Sequence, residues 1–167
     1  MLKGQDILVL LHLLGRDDLP SVRSIGDSLD LDPAGVHRAL GRLREVNLIG
    51  LDGRPNRANA EEFLLHGAKY IFPASQGGLS RGVPTAWAAS PLRDEVAASA
   101  EPPPVWPSAR GRARGVSLEP IHRSAEAAGA RDPYVGAGLA LFDAIRLGDG
   151  RIKQVAARHL SELVLGP

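Results

Sequence analysis

The sequence predicts a mainly α-helical protein, in which an N-terminal helical domain is joined through an extended segment to a C-terminal helical hairpin. Three observations carry this prediction. Apolar residues recur at helical spacing in residues 1–72. Pro, Gly, Ser and Arg dominate residues 73–116, and helical spacing returns in residues 117–167. We take these three ranges as the parts of the chain.

The N-terminal part begins with two predicted helices. Residues 5–15 carry a broad apolar face and end on Gly15, which suits a helix terminus. Ser21 is a suitable N-cap for a second helix that ends near residue 29. Its apolar residues follow at spacings of three and four, at Val22, Ile25 and Leu29.

A third helix is predicted from Pro33 to about Val46, after a turn at residues 30–32. Asp32 can cap this helix, and proline fits its first position, where no amide donor is needed. The pattern places an apolar stripe on the buried side, continued beyond the helix, at Val36, Leu40, Leu43, Leu48 and Ile49. The outward side then holds Ala34, His37, Arg38, Gly41 and Arg42.

After Gly50 the segment LDGRPNRA contains a turn signal, Asp52-Gly53, and no pair of alternating strands. A fourth helix is predicted to follow as far as about Tyr70. Asn59 with Glu62 three residues later resembles a capping box at its start.

Residues 73–116 are predicted to hold little regular structure and to form an extended strap on the rest of the chain or on another subunit. Trp87 and Trp106 are predicted to anchor this strap to the helical body. The Arg-Gly run at residues 109–115 has two interpretations. It is a flexible arm that enters a DNA minor groove, or it is a solvated linker or strand leading into Val116. We favour the second.

The pattern of the C-terminal part predicts a short helix over residues 121–130 and two longer helices over residues 134–147 and 151–165. Glycines at 148 and 150 separate the longer pair, so the tight turn favours an antiparallel hairpin. Asp143, Arg146 and Arg151 are predicted to form an ion-paired surface cluster at this turn.

Composition excludes several classes of function. The chain has no cysteine, which excludes disulfides, thiolate metal sites and cysteine nucleophiles. Its apolar stretches are too short to span a bilayer, and the N-terminus lacks the pattern of a signal peptide. The histidines lack metal-binding spacing, and neither a phosphate loop nor a nucleophile elbow is present. We expect a cytoplasmic protein that is not an enzyme and binds no metal or cofactor.

The stretch IGDSLDLDPAGVHRALGRLREVNLI, residues 25–49, resembles winged helix-turn-helix transcriptional regulators of the MarR, ArsR and GntR type. A small residue follows an apolar one in the first helix, and after the turn Val, Leu and Leu recur at spacings of four and three. The resemblance implies an N-terminal winged helix-turn-helix with a reduced wing after Gly50. Residues 51–84 also resemble small bacterial regulators encoded near toxin-type nucleotidyltransferases.

A helix of this kind presents side chains to the major groove. Arg38 and Arg42 lie four residues apart, on one helix face, and arginine can bridge O6 and N7 of guanine. Arg44 lies on the flank, where phosphate is the expected contact. Residues 1–70 hold nine Lys or Arg and ten Asp or Glu, so attraction to DNA must come from one face. The predicted DNA-binding residues are Ala34, His37, Arg38, Gly41, Arg42, Arg44 and, at the reduced wing, Arg54 and Arg57.

The sequence therefore predicts a sequence-specific regulator that binds double-stranded DNA through helix 33–46, as a dimeric repressor. A homodimer is expected because a single recognition helix makes too few contacts for useful specificity. The alternative is an antitoxin-like or adaptor protein whose winged helix serves as a scaffold. In that case the strap and C-terminal helices hold a protein partner. Neither hypothesis involves a membrane.

Overall fold

A computed structural model describes residues 1–96 and 100–167 of the 167-residue chain. It combines a helical body, which makes the chain 55% helical, with a small three-stranded sheet. The mainly helical prediction is therefore confirmed at this coarse level. None of the helices in the described ranges has the length and apolar character needed to cross a bilayer.

Three helices form the N-terminal part: α1 (Gly4–Leu14), α2 (Val22–Leu29) and α3 (Pro33–Glu45). The predicted caps are present. The Ser21 side chain accepts a hydrogen bond from the backbone of Ser24 at 3.1 Å, and Asp32 accepts one from Gly35 at 2.7 Å. The predicted apolar stripe of α3 is buried as well. Local signals sufficed for α2 and α3 because each combines a side-chain cap with an amphipathic face.

The fourth helix is continuous from α4 (Arg57–Glu62) through a π-helical turn (Phe63–Gly67) to α5 (Ala68–Ile71). Its N-cap is Asn56, whose side chain accepts a hydrogen bond from the backbone of Asn59 at 3.2 Å. The predicted capping box of Asn59 and Glu62 is therefore wrong. The Asn59 side chain donates instead to the carbonyl of Asn47, at 2.9 Å, and fastens the new helix to the end of α3.

Within residues 73–96 and 100–116 the structure has three strands, β1 (Gln76–Pro84), β2 (Pro104–Pro107) and most of β3 (Ala113–Leu118). β1 pairs antiparallel with both other strands, and β2 pairs parallel with β3, so the sheet closes on itself. The prediction of little regular structure here is wrong, because these short strands lack alternating hydrophobicity and depend on pairing across long sequence distances. The favoured interpretation of the Arg-Gly run was a solvated linker or a strand leading into Val116, and residues 113–115 of the run do lie in β3.

The C-terminal helices are α6 (Ala125–Arg131), α7 (Pro133–Leu147) and α8 (Gly150–Leu165). Gly148, with φ of +77°, ends α7, and α8 follows at once and packs against it. The predicted pair of adjacent C-terminal helices is confirmed. The short helix begins at Ala125, four residues after the predicted start at residue 121.

A buried polar cluster fastens the sheet to α7. The Asp143 carboxylate accepts hydrogen bonds from the Thr85 hydroxyl at 2.7 Å, the Trp106 indole at 2.8 Å and the Arg146 guanidinium at 2.7 Å. Complete burial raises the pKa of Asp143, while these three donors act in the opposite direction. Arg146 also donates to the carbonyls of Phe72 and Glu119, at the two ends of the sheet region.

The predicted ion pair between Asp143 and Arg146 is present, but the prediction that it lies on the surface is wrong. The side chains of Asp143 and Arg146 are 2% and 3% exposed, because the sheet folds over them. Arg151 is exposed, and among the described residues the ion pair is formed by Asp143 and Arg146 alone. The predicted anchoring role of Trp106 is confirmed, since its indole is buried and bonded to Asp143.

One continuous hydrophobic core runs through all three predicted parts of the chain. α1 lies at its centre, since residues 7–11 are fully buried and the helix contacts α2, α3 and α7. His12 of α1 shares a 2.9 Å hydrogen bond with Asp132, the N-cap of α7. The N-terminal helices therefore pack against the C-terminal ones, and this packing fixes the position of the exposed surface of α3.

Candidate nucleic-acid interface

The tight connection between α2 and α3 depends on Gly26. The backbone amide of Leu31 donates to the carbonyl of Gly26 at 3.0 Å. A Cβ on Gly26 would lie 2.6 Å from the carbonyl oxygen of Leu31, so a side chain there would push the turn away. Asp30 completes the turn with φ of +55°, a region that aspartate tolerates. The small residue noted in the sequence pattern therefore sets how closely α3 follows α2.

The N-terminal half of α3 presents an unobstructed surface. Ala34, His37 and Arg38 are exposed, one turn apart along the helix. Neither His37 nor Arg38 makes a side-chain hydrogen bond or ion pair with any residue in the described part of the chain. A Cβ placed on Gly41 would meet no atom within 4 Å, so the surface stays open for another turn. These four predicted residues share one free face.

Arg42 is placed differently from the prediction. Its Nε and Nη2 atoms donate to the two carboxylate oxygens of Asp6 in α1, at 2.8 and 2.7 Å. The Asp6 side chain is fully buried, and that of Arg42 is 15% exposed. The hydrogen bond with Asp6 raises the pKa of the guanidinium. The expectation that Arg42 lies on the outward face is wrong, because a buried carboxylate on the neighbouring helix holds it inward.

The Arg42–Asp6 pair belongs to a set of contacts that hold α3 on α1. Asp6 also accepts a hydrogen bond from the backbone of Lys3, at 2.8 Å, at the start of α1. At the other end of α3, Gln5 reaches the carbonyl of Gly35 at 3.4 Å. The side of α3 opposite its free face is therefore held against α1 by both apolar packing and charged hydrogen bonds.

Residues 49–55 form a tight turn after α3. A single antiparallel bridge joins Ile49 to Pro55, and Gly53 has φ of +85°. The Asp52-Gly53 turn signal is confirmed, and the turn carries no pair of regular strands. Arg44 is half-buried, with its Nη2 atom 3.9 Å from the position that a Cβ on Gly53 would take. Arg54 is exposed and donates at 3.2 Å to the carbonyl of Asp17.

Arg57 lies away from this surface. Its two terminal nitrogens donate to the carbonyls of Val164 at 2.7 Å and Leu14 at 3.0 Å. These carbonyls are at the C-terminal ends of α8 and α1, where the last backbone acceptors lack partners within the helix. The expectation that Arg57 lies at a wing tip is wrong, because residue 57 begins α4 and its side chain fills the junction of three helices.

Sequence reasoning did not identify a second basic surface, on the sheet. Arg81 of β1 and Arg114 of β3 are direct cross-strand partners, and both are exposed. The Arg-Gly run was visible in the sequence, but its pairing with residue 81 depends on strand register. As for metals, no group of three His, Asp or Glu side chains in the described residues is placed to hold an ion.

Comparison with protein-family models, curated proteins and solved structures yields no significant match to this chain.

Proposed function

We propose that this chain is a sequence-specific DNA-binding transcriptional regulator that places α3 in the major groove. The observation that carries the proposal is the pair His37 and Arg38. Both side chains are exposed and have no partner among the described residues, and the opposite side of their helix is buried. In this arrangement α2, the turn at residues 30–32 and α3 form a helix-turn-helix. Residues 49–55 then form a reduced wing.

The chemistry of the free face suits base recognition. Arg38 can donate two hydrogen bonds to O6 and N7 of guanine, and His37 can donate or accept at a neighbouring base edge. Ala34 and Gly41 are small, so the backbone of α3 can lie close to the bases. Arg44 and Arg54 flank the helix, where phosphate contacts would fix its orientation.

Arg42 supports this proposal indirectly. It does not reach out to DNA but fixes the angle of α3 on α1, so its role is positioning. A homodimer would present two copies of α3 to successive major grooves, about 34 Å apart in the geometry of two-fold helix-turn-helix proteins.

Fluorescence anisotropy with duplexes from the DNA upstream of the protein's own gene tests the proposal. We expect a preference for one duplex over random competitor, and Arg38→Ala should weaken that specific binding by about tenfold or more. Arg16→Ala is the matched control, since Arg16 is an exposed arginine at the end of α1 that pairs with Asp18. Equal binding by wild type and Arg38→Ala would overturn the proposal and favour the adaptor alternative.

A further inference from the structure

The sheet carries an arginine pair that the helical surface does not explain. In the antiparallel register of β1 and β3, Arg81 lies directly opposite Arg114, and both side chains are exposed. Residues directly opposite in an antiparallel pair project on the same face, with Cβ atoms about 5 Å apart. The two arginine side chains therefore leave the sheet side by side, on the same face.

Like charges directly opposite each other destabilise a sheet, so this pair has a cost in stability. Neither arginine makes a side-chain hydrogen bond or ion pair within residues 1–96 and 100–167. β1 and β3 themselves contain no acidic residue. Arg110 and Arg112, just before β3, are exposed and equally unpaired in the described residues. Four arginines therefore concentrate positive charge on one end of the sheet.

The backbone beneath the pair is rigid. The carbonyl of Arg81 accepts hydrogen bonds from the Ser80 hydroxyl at 2.9 Å and from the Ser108 backbone at 3.1 Å. The strands approach so closely that a Cβ on Gly111 would lie 2.1 Å from the backbone of Gly82. The guanidinium groups are thus presented from a fixed strand, not from a flexible arm.

We propose that Arg81 and Arg114, with Arg110 and Arg112, form a second binding surface that grips the phosphate backbone of duplex nucleic acid without reading its sequence. Arginine matches the geometry of phosphate oxygens through paired hydrogen bonds. β1 and β3 contain no aromatic residue, and Trp106 of β2 is buried, so this face offers no platform for stacking unpaired bases. That favours a duplex over a single strand. The surface is separate from α3 and does not depend on α3 entering a groove.

Anisotropy titrations of a labelled random-sequence duplex test this surface directly. Arg81→Gln/Arg114→Gln should weaken random-duplex binding by about tenfold and lower the slope of log K against log salt by about 2. Arg93→Gln/Arg151→Gln removes the same charge from exposed arginines elsewhere and should change binding far less. Arg81→Gln/Arg114→Gln should still prefer the duplex that wild type prefers, since this surface reads no sequence, which separates it from the proposed recognition helix.

A charge reversal separates folding from binding. Arg114→Glu places a carboxylate opposite Arg81, so its thermal midpoint should equal or exceed that of wild type while duplex binding is lost. Unchanged binding by Arg81→Gln/Arg114→Gln would overturn the proposal, as would an equal loss in Arg93→Gln/Arg151→Gln. Poly-glutamate that binds more tightly than duplex, and loses binding in Arg81→Gln/Arg114→Gln, would overturn it in favour of an acidic protein partner.

Discussion

Arg42 of α3 and Asp6 of α1 form a two-pronged ion pair across the N-terminal helices, with N–O distances of 2.7 and 2.8 Å. Asp6 is fully buried, so its charge depends on Arg42 and on the Lys3 backbone for compensation. The pair fixes the helix that carries the free basic face, and it leads to the first prediction.

Asp6→Ala leaves the Arg42 guanidinium in a largely buried position without its carboxylate. We expect a loss of about 3 kcal/mol in the free energy of unfolding, measured by urea denaturation. The double variant Asp6→Leu/Arg42→Met should recover most of this loss, because no unpaired charge remains. Arg38→Ala, on the exposed face of the same helix, should change stability by less than about 0.5 kcal/mol. Similar losses in Asp6→Ala and Arg38→Ala would show that the pair has no structural role.

Arg57 joins the ends of α1 and α8 through the carbonyls of Leu14 and Val164. Arg57→Met keeps much of the side-chain volume but leaves both carbonyls without their donor, so we expect a loss of about 2 kcal/mol in chemical denaturation. Arg54→Met is the matched control, since Arg54 is exposed and should cost less than about 0.5 kcal/mol. If both variants unfold at the same urea concentration, the junction does not depend on Arg57.

The closed sheet makes one glycine indispensable and another dispensable. A Cβ on Gly115 would lie 1.9 Å from the carbonyl oxygen of Pro103, whereas a Cβ on Gly78 would meet no atom within 4 Å. Gly115→Ala should therefore lower the unfolding free energy by about 3 kcal/mol, since neighbouring backbone must move. Gly78→Ala should stay within about 0.5 kcal/mol of wild type. Thermal unfolding of the two variants side by side decides this, and equal midpoints would contradict the closed arrangement.

His122 gives the structure a dependence on pH. Its Nδ1 atom accepts a 3.1 Å hydrogen bond from the backbone of Ser124, which requires that nitrogen to be unprotonated. Burial, assisted by Arg123, lowers the pKa of His122 below its usual 6.5. Because the folded value lies below the unfolded one, this stability is present above about pH 6.5 and is lost as pH falls through the folded pKa.

His122→Asn should therefore show a smaller loss of thermal stability than wild type on acidification from about pH 7.5 to pH 5. The effect should be modest, because His122 is only about half buried and solvent screens it. Melting curves across this range provide the measurement. If the thermal midpoint of His122→Asn falls as steeply with acidification as that of wild type, His122 does not cause the pH dependence.

The helices of this chain were largely predictable because their signals are local. Ser21, Asp32 and Pro33 mark helix starts, and the stripe Val36, Leu40 and Leu43 follows the helical period. The three-stranded sheet was not predictable in the same way. β1 is rich in glycine and lacks alternating hydrophobicity, and its strand partners lie 21 to 42 positions further along the chain.

The candidate site likewise contains residues that local sequence patterns could place and residues that they could not. Helical periodicity placed Ala34, His37, Arg38 and Gly41 outward, and they are outward in the structure. It could not place Arg42 and Arg57, since each turns toward an acceptor that is distant in sequence. A long arginine side chain can reach a carboxylate or carbonyl that is distant in sequence, and local spacing does not reveal which acceptor it will bind.

The sequence by itself determined where the N-terminal helices begin, which faces they bury and where the turns fall, because caps, periodicity and glycines act within a few residues. Only the tertiary structure decided which arginines are free. Arg42 pairs with the buried carboxylate of Asp6, and Arg57 donates to carbonyls at the C-terminal ends of α1 and α8. Closure of the sheet set Arg81 beside Arg114. For Arg42 and Arg57, the free-energy cost of leaving a buried polar group unpaired determines where the side chain lies. For Arg81 and Arg114, the register of a long-range strand pair determines it.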